Sequence, residues 1–186
     1  MDSFEILVGK LFEVEGYWLT YNYRINLSRE DKKRLGKSTM PRPEIDILAY
    51  KPSINQLLII ECKSYLDSTG VSINAFRAVK KMKGPKSIRV FSDNVFKTLI
   101  VKRLITQMMT DGLLSKVPKV KIGLICGKMK PSEKGDVEEL FRKNDWLLWT
   151  PQVVSKKIRA LALRGHENHL ATYIVKILAA VVESAI

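Results

Sequence analysis

The order of hydrophobic periods in this chain predicts an α/β domain, a mixed sheet flanked by helices. Three observations predict it. An amphipathic helical stripe opens the chain and is followed by three strand-like runs. Further on, helical and strand periods alternate. The length of 186 residues, with 46% hydrophobic and 27% charged residues, suits one globular domain with a sizeable core.

Residues 3–15 place Phe4, Leu7, Val8, Leu11 and Phe12 on one helical stripe, with Asp2 or Ser3 as cap and Gly16 as stop. Residues 17–25, rich in Tyr, Trp, Thr and Ile, predict a strand. Residues 28–43 carry Arg29, Lys32, Lys33, Arg34, Lys37 and Arg42, end among prolines, and predict an exposed loop. Strands follow at 44–50 and 57–63, joined by a turn-forming segment at 51–56. Residues 64–92 show no clear period. A long helix is expected over 95–114 and a buried strand over 120–126. A charged helix capped by Ser132 is expected over 132–143, a short strand over 146–149, and helices over 152–163 and 168–182. The chain therefore predicts one domain, 1–186, with a core of about 4–150 and a helical extension of about 151–186.

Charge separates the function classes. Lys and Arg total 32 against 19 Asp and Glu, a formal net charge of +13. Such a surplus favours a polyanionic partner, because each neutralised phosphate releases counterions. An anionic membrane is the rival partner. The last helix lacks a dense basic face, so its apolar surface points to a subunit contact instead. No signal peptide is expected, since Asp2 and Glu5 stand where a basic region would be, and Lys176 interrupts the most apolar stretch. Two cysteines, Cys62 and Cys126, are too few for a disulfide framework or a zinc site. The expectation is a soluble, cytoplasmic protein. His166 and His169 read as loop and cap residues rather than ligands.

The chemistry concentrates in Pro43-Glu44-Ile45-Asp46-Ile47 and Ile59-Ile60-Glu61-Cys62-Lys63. Side chains alternate faces along a strand, so Glu44 pairs in facing with Asp46, and Glu61 with Lys63. Symmetric closure of the hairpin sets Tyr50 against Leu57, Asp46 against Glu61, and Glu44 against Lys63. Opposed carboxylates repel unless a cation lies between them, and an all-oxygen pair suits Mg²⁺ or Mn²⁺. In this register Glu44 holds Lys63 by charge, while Cys62 faces the core.

An acid on one strand and Glu61-x-Lys63 on the next resemble the PD-(D/E)XK nuclease superfamily. Phe4-Glu5-x-x-Val8-x-x-Leu11-Phe12 followed by Gly16-Tyr17 resembles the first helix of its Mrr-like and archaeal junction-resolvase-like branches. Here Pro43 is followed by Glu44, where the compact motif has Asp. The resemblance spans roughly residues 4–125. It implies a restriction-endonuclease-like αβββαβ core and Mg²⁺-dependent hydrolysis of DNA phosphodiester bonds, with no small-molecule cofactor. It implies Asp46 and Glu61 as metal ligands, Lys63 as the catalytic cation, and Glu5 as a third acid at the metal. Arg103 and Gln107, at i and i+4 on a helix, resemble the polar pair that some members aim at the scissile phosphate. Each also has a plainer reading: Glu5 as a solvated helix residue, and Arg103 and Gln107 as an amphipathic boundary beside Phe96 and Ile100. Lys32, Lys33, Arg34, Lys37 and Arg42 are either a solvated charge run or a track for a DNA backbone. A homodimer would supply the two sites needed to cut both strands. The alternative to an enzyme is a nucleic-acid-binding module that keeps the fold without catalysis.

Overall fold

The computed structural model describes residues 2–77, 88–165 and 167–183. Its centre is a five-stranded mixed sheet in sequence order, β1 (Trp18–Arg24), β2 (Glu44–Lys51), β3 (Gln56–Lys63), β4 (Lys119–Cys126) and β5 (Leu147–Trp149). The first three strands form an antiparallel meander. β3, β4 and β5 run parallel, so each connection between them must cross a face of the sheet. Both crossings use helices, α4 (Asn94–Thr110) and α5 (Lys134–Lys143).

The two faces bury separate cores. Ile100, Leu104 and Met108 of α4 and Val137 and Phe141 of α5 cover Leu57, Ile59, Ile122 and Leu124. The opposite face packs Leu58, Ile60 and Ile125 under α1 (Ser3–Val14) and α6 (Pro151–Ala160), where Phe12 stacks on Trp149 at 4.2 Å. Residues buried on both sides explain why β3 and β4 read as continuous apolar runs. α1 is capped by Asp2, whose carboxylate accepts from the Glu5 amide at 2.8 Å, and the chain leaves it through Gly16 at φ +83°. The terminal helix α7 (Leu170–Glu183) lies against α6 and the 3₁₀ turn Leu161–Leu163. It leaves Leu170, Ile174, Ile177 and Leu178 exposed. Among the described residues no helix is long and apolar enough to cross a membrane.

Three expectations are corrected. The segment 28–43 opens with a helix, α2 (Arg29–Arg34), because Ser28 and Asp31 close a reciprocal capping box. Ser132 does not cap α5: Pro131 starts a 3₁₀ turn through Glu133, whose carboxylate is drawn away to the Ser72 hydroxyl and the Ile73 amide. Thr150 caps α6, which starts at Pro151, one residue earlier than the apolar period suggests. The short helix α3 (Arg89–Ser92) precedes α4. Residues 78–87 of the stretch without a period, and His166, lie outside the described residues. His169 acts as a cap, its Nδ1 accepting from the Ala171 amide at 3.2 Å.

Beyond β3 the chain closes against the end of β4 through Val71, which bridges to Met129. Gly70 makes this possible. It sits at φ +90°, and a Cβ there would stand 2.7 Å from the Met129 carbonyl carbon. Gly36, at φ +67°, has nothing within 4 Å of the same position. Gly70→Ala is therefore expected to lower stability by about 2–4 kcal/mol, from backbone strain plus the clash. Gly36→Ala should cost only about 1 kcal/mol, from strain alone. Urea denaturation of both variants measures the difference.

Candidate active site

The hairpin register follows from the apolar strands and the intervening turn. Tyr50 pairs with Leu57 and Ile47 with Ile60, which brings Asp46 to the level of Glu61 at the sheet end where β3 finishes. There the regular ladder stops. The Asp46 Oδ2 atom accepts the Cys62 amide N–H at 2.7 Å, taking the place of a backbone carbonyl. On its other side the β1–β2 ladder runs to Tyr21–Ile47, passes over Asn22 and Asp46, and resumes at Tyr23–Ile45. Asn22 absorbs the distortion at φ +51°, a conformation that asparagine tolerates better than most residues. Alternation along β2 is broken as a result: Ile45 joins Leu48 in the core beneath α4, whereas Ile47 and Ala49 lie in the other.

Three of the sequence-predicted residues meet here. Lys63 Nζ stands 2.6 Å from Glu61 Oε1 and 3.8 Å from Asp46 Oδ2, and donates to the Cys62 carbonyl at 3.1 Å. All three side chains are about three-quarters buried or more. Burial and the neighbouring Glu61 charge push the Asp46 carboxyl up to about 6, and the Cys62 N–H and Lys63 offset this only partly. Burial alone would lower Lys63, but Glu61 and Asp46 outweigh it and hold the ammonium above its ordinary range. Lys63 here is a cation and a hydrogen-bond donor. Glu61 and Lys63 open into a groove of about 400 Å³, shared with Pro43, Glu44, Tyr65, Arg89 and Phe96.

The other predicted residues are placed differently. Glu44 does not hold Lys63. Its carboxylate accepts from Arg24 Nε at 2.9 Å and Asn22 Nδ2 at 2.8 Å, and Arg24 is its direct cross-strand partner in β1. Glu5 Oε2 accepts from the Asp2 amide at 3.1 Å in the cap of α1, and its charge, with those of Asp46 and Glu61, still acts on the Cys62 thiol. Among the described residues no three His, Cys, Asp or Glu side chains gather as a group around one point. Arg103 and Gln107 are engaged with the chain itself. Arg103 pairs with Asp31, and Gln107 bonds the Arg24 carbonyl and the Asn26 amide. Lys33, Arg34, Lys37 and Arg42 are exposed and Lys32 half-buried. Cys62 packs in the core away from the groove, and burial pushes its thiol up.

Two groove residues were not legible in the sequence. Tyr65 follows β3 in the left-handed region at φ +47°, a position marked by no glycine. Arg89, paired with Asp93 at 3.0 Å and 4.1 Å above the Phe96 ring, lies in the stretch without a period. In comparisons with known proteins, no family model, curated protein or solved structure matches the chain.

The raised Asp46 carboxyl has a consequence for stability. A group that binds its proton more tightly when folded stabilises the fold fully below its unfolded value near 4, and that contribution is lost as pH rises through about 6. Asp46→Asn, which can still accept from the Cys62 amide, is expected to be more stable than the parent at pH 8 by about 1–3 kcal/mol. At pH 4 the two should match. Thermal melts across this range, with divalent ions chelated, test it; lower stability of the variant at pH 8 would show the carboxylate to be a structural strut.

Proposed function

We propose that this chain is a metal-dependent endonuclease of the PD-(D/E)XK type, with a restriction-endonuclease-like core, that hydrolyses DNA phosphodiester bonds. One observation carries the reading: an ammonium group is clasped by oxygens of Glu61 and Cys62, with Asp46 at 3.8 Å, beside an open groove. Two carboxylates and a peptide carbonyl form a hard donor set around a positive charge, the chemistry that suits Mg²⁺, with Mn²⁺ as substitute. Asp46 and Glu61 would hold that ion, and when bound it would supply Lewis-acid polarisation of the scissile phosphoryl group.

The chain's own residues do the rest. Asp46 and Glu61 also position Lys63, at 3.8 Å and 2.6 Å from its Nζ. Lys63, on the groove wall, orients water and offsets the negative charge that develops on phosphorus. Glu44 keeps the end of β2 tied to β1 through Arg24 and Asn22, outside the reacting set. The net charge of +13 supports a polyanionic substrate. The reading extends to a homodimer in which Leu170, Ile174 and Ile177, spaced four and three residues apart on α7, pair with a second copy.

The deciding experiment is a cleavage panel of single-stranded, duplex, nicked and branched DNA, with and without Mg²⁺ or Mn²⁺. Lys63→Ala is expected to lose about 100–1000-fold or more in rate while keeping its fold. Asp46→Asn should leave almost no cleavage, whereas Glu44→Gln should stay within about tenfold of the parent. Parent-like cutting by Lys63→Ala would sink the mechanism, and a parent protein that binds DNA but cuts none of the panel would leave a binding module.

A further inference from the structure

Among the described residues Asp31 is the only charged residue that is fully buried, at 2% exposure. It lies in α2, in a strongly basic stretch: residues 28–43 hold six Lys or Arg against two Asp or Glu. Arg103 reaches it from α4. Its Nη2 donates to Asp31 Oδ1 at 3.0 Å, and its Nε stands 2.7 Å from Oδ2 but off the line of a second hydrogen bond. The same carboxylate accepts from the Ser28 amide at 2.9 Å. Burial works against the Asp31 charge, but these hydrogen bonds outweigh it and hold the carboxyl below its ordinary range.

One turn along α4, Gln107 grips the strand that feeds the segment. Its Nε2 donates to the Arg24 carbonyl at 3.2 Å and its Oε1 accepts from the Asn26 amide at 3.0 Å. The two ends of the segment are drawn together by the Ile25 amide, which donates to the Pro43 carbonyl at 2.9 Å. Pro43, Glu44 and Ile45 then line the groove at Glu61 and Lys63, and so does Ile100, one turn before Arg103. Lys33, Arg34, Lys37 and Arg42 face solvent, and among the described residues none of them forms an ion pair.

Asp31 is buried but Arg103 keeps more than a third of its side chain exposed, and an ion pair so placed adds little stability. What it does provide is a single geometry. We propose that Arg103 and Gln107 are positioning residues that latch residues 28–43 to α4, so that Lys33, Arg34, Lys37 and Arg42 form a fixed edge along which a DNA phosphate backbone enters the groove. The proposal rests on the nuclease reading for what happens in the groove, but the edge binds DNA without chemistry. A latched edge loses little freedom on binding, whereas a free one must be ordered first.

The test is duplex-DNA affinity against salt concentration, measured by fluorescence anisotropy in EDTA so that no cleavage is needed. The triple variant Lys33→Ala/Arg34→Ala/Lys37→Ala, all exposed, should lower the slope of log affinity against log salt by about 2–3. Arg103→Ala should make the segment more sensitive to trypsin and weaken DNA about tenfold, with the melting transition of the remaining domain retained. Arg103→Lys, which keeps a cation within reach of Asp31 and leaves the Ser28–Asp31 cap intact, should recover both properties at least in part, which simple loss of packing would not allow. A parent-like salt slope in the triple variant overturns the proposal. So does parent-like DNA affinity in an Arg103→Ala protein whose segment is trypsin-sensitive. Equal, arm-dependent binding to vesicles of acidic phospholipid would overturn it too, by showing an unspecialised anionic surface. If Arg103→Ala does not fold, the triple variant and Arg103→Lys decide. An arm-dependent slope in a protein that cuts no DNA would sink the nuclease reading and leave the latch standing.

Discussion

The hydrogen bond from the Cys62 amide to the Asp46 carboxylate is the contact on which the site depends. It replaces a ladder bond with a side-chain bond at the point where β2 separates from β3. The exchange has two effects. Asp46 is fixed beside Glu61, and the regular alternation of β2 is broken so that Ile45 packs beneath α4. Without it, two like-charged carboxylates on neighbouring strands would drive those strand ends apart. The N–H both anchors Asp46 and offsets part of its burial, and it leaves the carboxyl raised to about 6 rather than fully neutral at ordinary pH.

Much of this was legible in the sequence because it follows from short-range rules. The order of helices and strands came from hydrophobic periods, and the Tyr50–Leu57 register from symmetric closure around residues 51–56. That register, with the alternation of Glu61, Cys62 and Lys63, was enough to bring two acids and a lysine together and to send Cys62 into the core. What escaped is what breaks those rules. A constant period of two assigned Glu44 to Lys63, but the left-handed Asn22 opposite Asp46 interrupts the period. No composition marks that asparagine as different from any other.

Charge density misled in the same way. Residues 28–43 read as a solvated loop because cations are abundant there, yet Ser28-Arg29-Glu30-Asp31 is a capping pattern that starts α2. Arg103 and Gln107 sat on a stripe with Ile100, and that position on the boundary between core and solvent is where the structure uses them. Their partners, Asp31 and the Arg24–Asn26 backbone, are 72 and more than 80 residues away in sequence. A helix position alone says that a polar group is half-inward, not what it meets. Tyr65 and Arg89 escaped because a groove wall is assembled from segments with no period of their own.

Asp46 and Asp31 together show how the molecule uses charge. Each occupies a place where an uncharged residue would be tolerated or preferred energetically. Asp46 is raised by burial and Glu61, whereas Asp31 is lowered by Arg103 and its own helix cap. The first is under-compensated, and its carboxyl stays raised. The second is held by Arg103 and the Ser28 amide, which gives it one position. α4 links the two. Ile100 lines the groove that Glu61 and Lys63 share, and Arg103, one turn later, holds the basic segment beside that groove. A single rigid helix therefore sets the distance between the Asp46–Glu61 pair and a row of outward cations. That spacing requires helix geometry at one end and a directional ion pair at the other, and apolar packing alone would supply neither the direction nor the register.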